Sequence, residues 1–264
     1  MSTSARGSEA ASYRVLPLPP EYLEPEEAQT SIEYLPFTVR QVASAADLRK
    51  AIDLRHMAYA RHLPEFASAL RAPESDDLES GVAILIAESK LDKSILGTVR
   101  IQTNLSNPLN MEHSIKLPRW LQNKRLAEVR RLAVAPGNAG RLVKMVLLKA
   151  VYQFCVHQEL EWILVAARRP LDRMYEQLTL KDVLDGQTFI PLPRANNVEH
   201  RVLGLETRAF LSQLVAVEHP LLDFFFHTEH PDINPDCLTP MDVELRLGED
   251  FERMLPEQNL IMAS

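Results

Sequence analysis

The stretch EVRRLAVAPGNAGRLVKMVLLKA, residues 128–150, runs from a strand pattern through a short loop into an apolar helix. Its strand half carries Glu128, Arg130 and Arg131, although a strand with one buried face has little reason to hold three charges together. Its helix half is apolar nearly all round, which is typical of a helix buried between layers. The stretch therefore predicts the centre of an α/β domain with a site beside it.

Glu128 and Arg131 are three residues apart, so in a regular strand they would point to opposite faces. A β-bulge would bring both side chains onto one face, and bulges are frequent beside active sites because they re-aim side chains. A bulge would also leave backbone amides unpaired and able to polarise a carbonyl. We interpret this strand as the wall of a site. The alternative, a solvent-facing edge strand, is less favoured because a buried helix follows at once.

Strands alternate with helices and hairpins on both sides of this stretch, which predicts a mixed α/β (α+β) fold around a central sheet. Apolar runs predict further strands at 37–43, 81–89, 94–103, 161–167 and 200–206. Helical patterns follow Ser44 and recur at 170–178, 207–218 and 219–227. We expect three parts: a flexible arm at 1–34, a core at 35–190, and a strand/helix extension with an acidic tail at 191–264.

The composition indicates a globular chain, because 46% of the 264 residues are hydrophobic and 25% are charged. A net charge of −7 argues against a nucleic-acid binder, which needs a broad basic surface. No apolar run approaches the roughly 20 residues that cross a bilayer. The N-terminus lacks the apolar segment of a secretory signal. We therefore expect a cytoplasmic protein without a transmembrane segment.

Neither the cysteines nor the histidines predict a metal site. Cys155 and Cys237 fit neither a disulfide framework nor a metal-ligand spacing. His227 and His230 lack a convincing third ligand in the sequence. We expect no metal and no bound cofactor.

The helix after Ser44 places Arg55 in the middle of its apolar stripe. A guanidinium on the core side is costly unless a carboxylate or phosphate meets it. The next loop offers partners at Asp76, Asp77 and Glu79. The alternatives are that the arginine stem packs while its head reaches water, and that the loop is an ordinary solvated acidic turn.

The segment RLAVAP (131–136), with the loop and apolar helix after it, resembles the acyl-donor segment of the GNAT superfamily of N-acyltransferases. LDRMYEQLTL (171–180) resembles a later motif of that superfamily, with Tyr175 in the place of its tyrosine. The resemblance implies a GNAT-like mixed, mostly antiparallel central sheet flanked by helices, here with a C-terminal helical extension.

The donor loop departs from the GNAT pattern. Gly140 fits loosely, but Leu142 and Lys144 occupy the places of later glycines, which let backbone amides close on the CoA pyrophosphate. A donor carried on acyl carrier protein offers a single phosphodiester and needs fewer converging amides. The departure is compatible with such a donor.

A narrower resemblance is to the acyl-homoserine-lactone synthases and the long-chain N-acyl amino acid synthases. LRHMAYARH, ESDDLES, GTVRIQT and EVRRLAV follow the order of that group's motifs. The matching residues are Arg55, Tyr59, Asp76, Glu79, Arg100, Glu128 and Arg131. The lactone synthases usually have a tryptophan after the first helix, where this chain reads HLPEF (62–66), and this chain is longer at its C-terminus. Both differences favour the amino-acid-acylating branch or a related one.

The resemblance implies acyl transfer from a thioester to an amine. Glu128 is the candidate base, because an α-ammonium with a pKa near 8 must lose a proton before it attacks. Tyr175 is the candidate that protonates or hydrogen-bonds the leaving thiolate, and the amides after Arg131 would polarise the carbonyl. An ordinary aromatic on a helix face is the alternative for Tyr175.

Two further groups of residues follow from the resemblance. Arg55, Arg100 and Arg131, with Asp76 and Glu79, are expected to form a charge network that orders the substrate loop; Tyr59 lies beside it. One of these arginines could instead hold the carboxylate of the acceptor. We expect the acyl donor, acyl-ACP or acyl-CoA as co-substrate, to contact Val134, Gly140, Arg141, Arg168, Arg169 and Arg173. A basic rim would steer the acidic acyl carrier protein.

Two other functions remain open from the sequence. An acyl-homoserine-lactone synthase would consume S-adenosylmethionine, which an amino-acid acylase would not. A non-catalytic protein that binds acyl chains or acyl carrier protein could keep the scaffold, and the altered glycine loop favours it, while Glu128, Arg131 and Tyr175 together argue against it. The apolar residues of 211–226 could line an acyl slot or complete the core.

Overall fold

The structure, a computed structural model, describes residues 30–137, 139–185, 189–193 and 197–234. The predicted acidic tail and nearly all of the predicted arm lie outside these residues. The strands are β1 Ser31–Ile32, β2 Phe37–Gln41, β3 Val82–Ser89, β4 Ile95–Thr103, β5 Leu126–Val134, β6 Trp162–Ala167, β7 Lys181–Asp182, β8 Phe189–Leu192, β9 Val198–Glu206 and β10 Thr228–Glu229. The helices are α1 Ala45–Ala60, α2 Pro64–Ser68, α3 Gly140–His157, α4 Leu171–Gln177 and α5 Phe210–Ala216.

Eight of the strands form one sheet in the spatial order β2-β3-β4-β5-β6-β9-β7, with β8 also paired to β9. Only the β5–β6 pair in this sheet is parallel. The predicted mixed, mostly antiparallel sheet flanked by helices is confirmed. Among the described residues, no helix is long and apolar enough to cross a membrane.

Strand alternation gives the sheet two different faces. One face packs Val99, Ile101, Val129 and Val165 against α3 in the largest core cluster. The other face packs Ile84 and its neighbours against α1, and then becomes polar towards β4 and β5. The helix α1 begins at the predicted cap, where the Ser44 hydroxyl accepts a hydrogen bond from the Asp47 amide at 3.1 Å.

Gly97 on β4 lets α3 approach the sheet closely. A Cβ atom added there would lie 2.5 Å from Cγ1 of Val143 and 2.8 Å from Cδ1 of Leu147. Both partners belong to α3. The missing side chain therefore sets the distance between this helix and the sheet.

A β-bulge interrupts the β4–β5 pairing at the predicted place. Thr98 pairs with Ala133 and Arg100 pairs with Arg130, so two residues of β5 face one residue of β4. Arg131, one of these two residues, has a positive φ of 53°, the left-handed conformation that is found at the first residue of a G1-type bulge. Arg131 and Arg100 contact the same carboxylate, that of Glu74, so the bulge has brought Arg131 onto the face that Arg100 occupies. The prediction of a bulge in β5 is confirmed.

The two parallel strands separate after four paired residues. Leu126 to Val129 of β5 pair with Trp162 to Val165 of β6, and beyond them the register contains no further β5–β6 pair. The strand β5 nevertheless continues to Val134 and β6 to Ala167. A cleft therefore opens between the two strands, directly beside the bulge.

The end of the described chain returns to its start. The strand β1 pairs in parallel with β10, and the Leu35 amide donates to Asp232 Oδ2 at 2.7 Å. Lys149 of α3, only 1% exposed, donates to the carbonyls of Phe224 and Thr228 and approaches Nδ1 of His230 at 3.0 Å. Residues 31 and 32, which the sequence assigned to the arm, therefore pair with the end of the described chain, just before the predicted boundary at residue 34.

Several short elements differ from the sequence predictions. The helix predicted at 219–227 is a π-helical turn at Asp223–His227. The helix predicted at 207–218 is a 3₁₀ turn at Thr207–Ala209 followed by α5. The strands β1, β7, β8 and β10 have at most four residues, and the sequence pattern did not predict them. Periodicity needs more residues than these elements contain.

Candidate active site

A cavity of about 760 Å³ occupies the cleft between β5 and β6. The bulged half of β5 forms one wall and the ends of β6 and α4 form another. The end of α1, the loop after β4 and the first turn of α3 close the remaining sides. All three residues predicted to be catalytic, Glu128, Tyr175 and Arg131, line it, as does Tyr59.

A buried charge network lies beside this cavity. It consists of Arg55, Arg100, Arg130, Arg131, Glu74, Asp76 and Asp77. Nη1 of Arg55 lies 2.6 Å from Oδ1 of Asp77, which also accepts from Arg100 at 3.0 Å. Arg100 further contacts Asp76 at 3.1 Å and Glu74 at 3.2 Å. The predicted pairing of Arg55 with the loop is confirmed, with Asp77 as its partner.

The β5 arginines join this network from the other side. Arg130 donates to Oδ2 of Asp76 at 2.7 Å, and Nε of Arg131 donates to Glu74 at 2.7 Å. The Arg131 guanidinium also lies 5.1 Å from the ring centroid of Phe66 and 6.0 Å from that of Tyr59. The network therefore ties the loop that holds these carboxylates to the wall of the cavity.

The network keeps the carboxylates of Glu74 and Asp77 ionised, because it lowers the pKa of each. Burial alone would raise the pKa of Glu74, but the hydrogen bond and charge of Arg131, with Arg100, lower it to about 2. Burial would also raise the pKa of Asp77, but the charges of Arg55 and Arg100 lower it by more. The pKa of Asp77 is therefore well below its usual range. These carboxylates are counter-ions to arginine and are unsuited to take up a proton at neutral pH.

Glu128 behaves differently from the network carboxylates. It is only 2% exposed, and its Oε2 accepts a hydrogen bond from the Met111 amide at 2.8 Å. Oε1 lies 3.4 Å from Nε of Arg130, an ion pair that holds the other oxygen. Burial raises the pKa of Glu128 above its usual value, against the lowering effects of Arg130 and the Met111 amide. A carboxylate with a raised pKa on the cavity wall is suited to accept a proton.

Tyr175 projects from α4 and borders the cavity from the α3 side of the sheet. Burial, with a smaller effect from Tyr59, raises the pKa of its phenol well above the usual value. The phenol therefore stays protonated at neutral pH and can donate a hydrogen bond. Tyr175 also borders a second, smaller cavity of about 40 Å³, whose wall is apolar and includes Leu148, Leu180, Phe210 and Phe225.

The predicted donor residues divide into two groups. Val134, Gly140, Arg141 and Arg168 line the large cavity, whereas Arg169 and Arg173 are exposed and do not. The guanidinium of Arg169 instead lies 4.4 Å from the ring centroid of Phe189.

Other cations that line the same cavity were not predicted. Arg61 donates to the Val134 carbonyl at 3.2 Å, and Lys144 and His200 border the cavity as well. Arg61 follows the last residue of α1. It is 73 residues from Val134 in sequence, so no local sequence pattern predicts this contact.

Glu79 lies outside the charge network. Its Oε2 accepts a hydrogen bond from Nε2 of Gln102 at 3.2 Å, while Glu74, five residues earlier, takes an arginine-binding place. Sequence reasoning also missed Asn110, which donates to Asp76 at 2.8 Å, and Met111. Backbone contacts such as that of Met111 leave no signal in residue type.

The family model described as N-acyl amino acid synthase FeeM matches residues 50–195 of the chain. This segment contains α1, the charge network, the bulge and α4. No curated protein is significantly similar to the chain in sequence.

Solved structures with a similar fold include FeeM, an N-acyl amino acid synthase from uncultured soil microbes. That likeness has 16% identity and a TM-score of 0.55, over 69% of this chain and 96% of the other. BjaI, a CoA-dependent acyl-homoserine lactone synthase, has 13% identity and a TM-score of 0.50, over 76% of this chain and 96% of the other. An acetyltransferase of the GNAT family from Staphylococcus aureus Mu50 has 13% identity and a TM-score of 0.44, over 65% and 99%.

Proposed function

The chain belongs to the family of N-acyl amino acid synthase FeeM and is an N-acyltransferase, and on this premise we propose its substrates and the roles of its site residues. The protein transfers a long-chain acyl group from a carrier thioester to the amine of a small acceptor such as an amino acid. The thioester, on acyl carrier protein or CoA, is a co-substrate, and the reaction needs no metal or bound cofactor.

The observation that supports this proposal most is the position of Glu128. A buried carboxylate with a raised pKa lies on the cavity wall where β5 and β6 separate, next to a bulge that interrupts strand pairing. An acylating enzyme needs a base at the amine and a polarised carbonyl beside it. Tyr175 lies across the same cavity with a protonated phenol.

The reaction follows from this arrangement. The acceptor ammonium gives up one proton to solvent, and the free nitrogen attacks the carbonyl carbon of the thioester. The C–N bond forms and the C–S bond breaks, while the nitrogen loses a second proton to Glu128. The leaving thiolate accepts a hydrogen bond from Tyr175 and takes one proton from solvent, so that an amide and a thiol result. Glu128 then releases its proton to solvent.

The charge around the cavity favours an anionic carrier. Arg61, Arg141 and Lys144 lie beside Val134 and the first turn of α3, where a phosphodiester would meet them. Only a single carboxylate, that of Glu128, lines the cavity among the described residues. The apolar cavity behind Tyr175 offers a place for the end of the acyl chain.

The test is mass spectrometry of lipid extracts from a bacterial host that expresses the protein. A new acylated amine is expected, and its mass gives both acceptor and chain length. Glu128→Gln should abolish it, whereas Glu159→Gln, which alters an exposed surface pair, should not. Folded wild-type protein that yields no acylated amine, with long-chain acyl-ACP or acyl-CoA and amino acids supplied in vitro, would contradict the proposal. Consumption of S-adenosylmethionine with release of a lactone would instead identify a lactone synthase.

A further inference from the structure

The arginines of the charge network are already engaged. Arg55 pairs with Asp77, Arg100 with three carboxylates, and Arg131 with Glu74. Each of these three was a candidate for binding the carboxylate of an acceptor. Arg55 keeps two nitrogens, Nε and Nη2, without a partner among the described residues, but it is buried and does not line the cavity. The guanidinium groups of Arg100 and Arg131 are occupied by carboxylates and have little capacity left for a substrate.

Arg168 differs from these three arginines. It follows the last residue of β6, is half-buried, and lines the large cavity. Its guanidinium makes no hydrogen bond or ion pair with any residue in the described part of the chain. A partly buried cation without a counter-ion is unfavourable, so the site is prepared for an anion that arrives with a substrate.

Arg168 lies on the same face of the sheet as Glu128. Leu164 and Val202 pack in one cluster with Leu126, and Leu126 shares the alternation of Glu128. Alternate residues after Leu164 point to this same face, namely Ala166 and then Arg168, which directly follows β6. The donor elements α3 and α4 pack on the opposite face, with Val129 and Val165. A molecule held between Glu128 and Arg168 therefore lies on the acceptor side of the cleft.

His200 borders the same region and adds no charge to it. His200 lies two residues before Val202 on β9, so both side chains point to the same face of the sheet. Its Nδ1 lies 2.7 Å from the Val198 carbonyl. Burial lowers the pKa of His200, and the nearby charges of Arg168, Arg131 and Arg130 lower it further. The ring is therefore neutral at neutral pH, and Arg168 supplies the positive charge at this end.

The acceptor side thus has a base at one end and an uncompensated cation at the other. We propose that Arg168 binds the carboxylate of the acceptor, so that the enzyme selects amines with a free carboxylate, of the α-amino acid type. The ammonium then lies at Glu128 and the carboxylate at Arg168. This inference rests on the proposed function, and it moves Arg168 from donor binding to acceptor recognition.

The test uses the acceptor and acyl chain read from the product mass. Purified protein is supplied with the carrier-protein thioester of that chain and with either the amino acid or its carboxamide, which keeps the amine and lacks the carboxylate. Charged hydrogen bonds contribute about 1.5–3 kcal/mol, so the wild type should prefer the amino acid by on the order of 10- to 100-fold in kcat/KM.

Arg168→Met should raise the KM for the amino acid on the order of 10- to 100-fold while kcat stays within about twofold. Its kcat/KM values for amino acid and carboxamide should become nearly equal. Arg168→Lys should restore part of the preference. Arg49→Met, on the exposed side of α1 and away from the cavity, should behave as the wild type.

Three outcomes would separate the two proposals. No acylated amine from the wild type would refute the proposed function itself. A product whose amine carries no carboxylate would leave the acyltransferase standing and overturn the assignment of Arg168. An Arg168→Met enzyme that still prefers the amino acid as strongly as the wild type would overturn it too.

Discussion

Glu74 is the residue at which the buried charge network meets solvent. Its side chain is 22% exposed, compared with 6% for Asp76 and 0% for Asp77. It bridges Arg131 of the bulge to Arg100 of β4. The left-handed backbone of Arg131 is thereby held through its side chain, because the bidentate contact to Glu74 fixes the guanidinium.

We expect Glu74→Gln to weaken the fold at neutral pH but to make it less sensitive to acid. The pKa of Glu74 falls from 4.5 to about 2 on folding, so its stabilisation is present above pH 4.5 and is lost as pH falls towards 2. The loss amounts to about 3 kcal/mol. Urea unfolding at pH 7 and pH 3 would show about 2 kcal/mol of this loss, because at pH 3 the folded carboxyl is still largely ionised. A wild type and a variant that lose equal free energy between these pH values would contradict the prediction.

Single residues differ in how well the sequence predicts their contacts. The parity of Glu128 and Arg131 requires a bulge if both serve one site, and the structure has that bulge. The partner of Arg131 was not predictable from sequence. Glu74 and Asp76 are both acidic residues of one loop, and only the folded path of that loop decides which of them reaches Arg131. Covalent neighbours constrain strand geometry, whereas the path of a loop depends on the finished fold.

Among the elements, the close packing of β4 against α3 leaves no room for a larger side chain at Gly97. We expect Gly97→Ala to destabilise the protein by about 1–3 kcal/mol, because the new methyl group would lie 2.5 Å from the stiff side chain of Val143. Val143→Ala in the same chain should recover part of this loss, since it removes the atom that clashes. Thermal or urea unfolding of both single variants and the double variant measures the coupling. Strictly additive effects would show that the methyl group is accommodated elsewhere.

Long elements were predicted well and short ones were not. The strands β3, β4, β5 and β6 and the helices α1 and α3 follow their sequence patterns closely. The pairing of β7 and β8 with β9 depends on tertiary contacts, because two to four residues carry no periodicity. The charges of Arg130 and Arg131 indicated a site at β5, but where β5 and β6 stop pairing depends on tertiary contacts that the sequence pattern does not carry.

At the scale of the whole molecule, Lys149 fastens the C-terminal segment to α3. Its ammonium donates to the Phe224 carbonyl at 2.6 Å and lies 5.2 Å from the ring centroid of Phe224. Burial lowers its pKa to about 8, against the raising effects of Glu33 and Glu229. The charge is therefore kept at neutral pH at a cost to stability.

We expect the wild type to gain stability relative to Lys149→Met as pH rises from 8 to 10.5. In that interval the folded lysine has lost its proton while the unfolded one keeps it, so the free energy of unfolding increases with pH. The gain is at most about 3 kcal/mol. Urea unfolding at pH 7.5 and pH 10 measures it, with the exposed Lys50→Met as control. A difference between wild type and Lys149→Met that does not change with pH would refute the lowered pKa.

The pairing of β1 with β10 has a consequence for synthesis on the ribosome. The Ser31 hydroxyl reaches the His227 carbonyl across 196 residues, whereas β2 to β5 pair with their neighbours along the chain. At roughly 5–20 residues per second, translation needs on the order of 10–40 s to deliver the partner. During that time the first strand waits unpaired outside the exit tunnel. A nascent chain that ends before about residue 230 would lack β10, so Ser31 and Ile32 would have no strand partner and their backbone groups would be open to pairing with another chain.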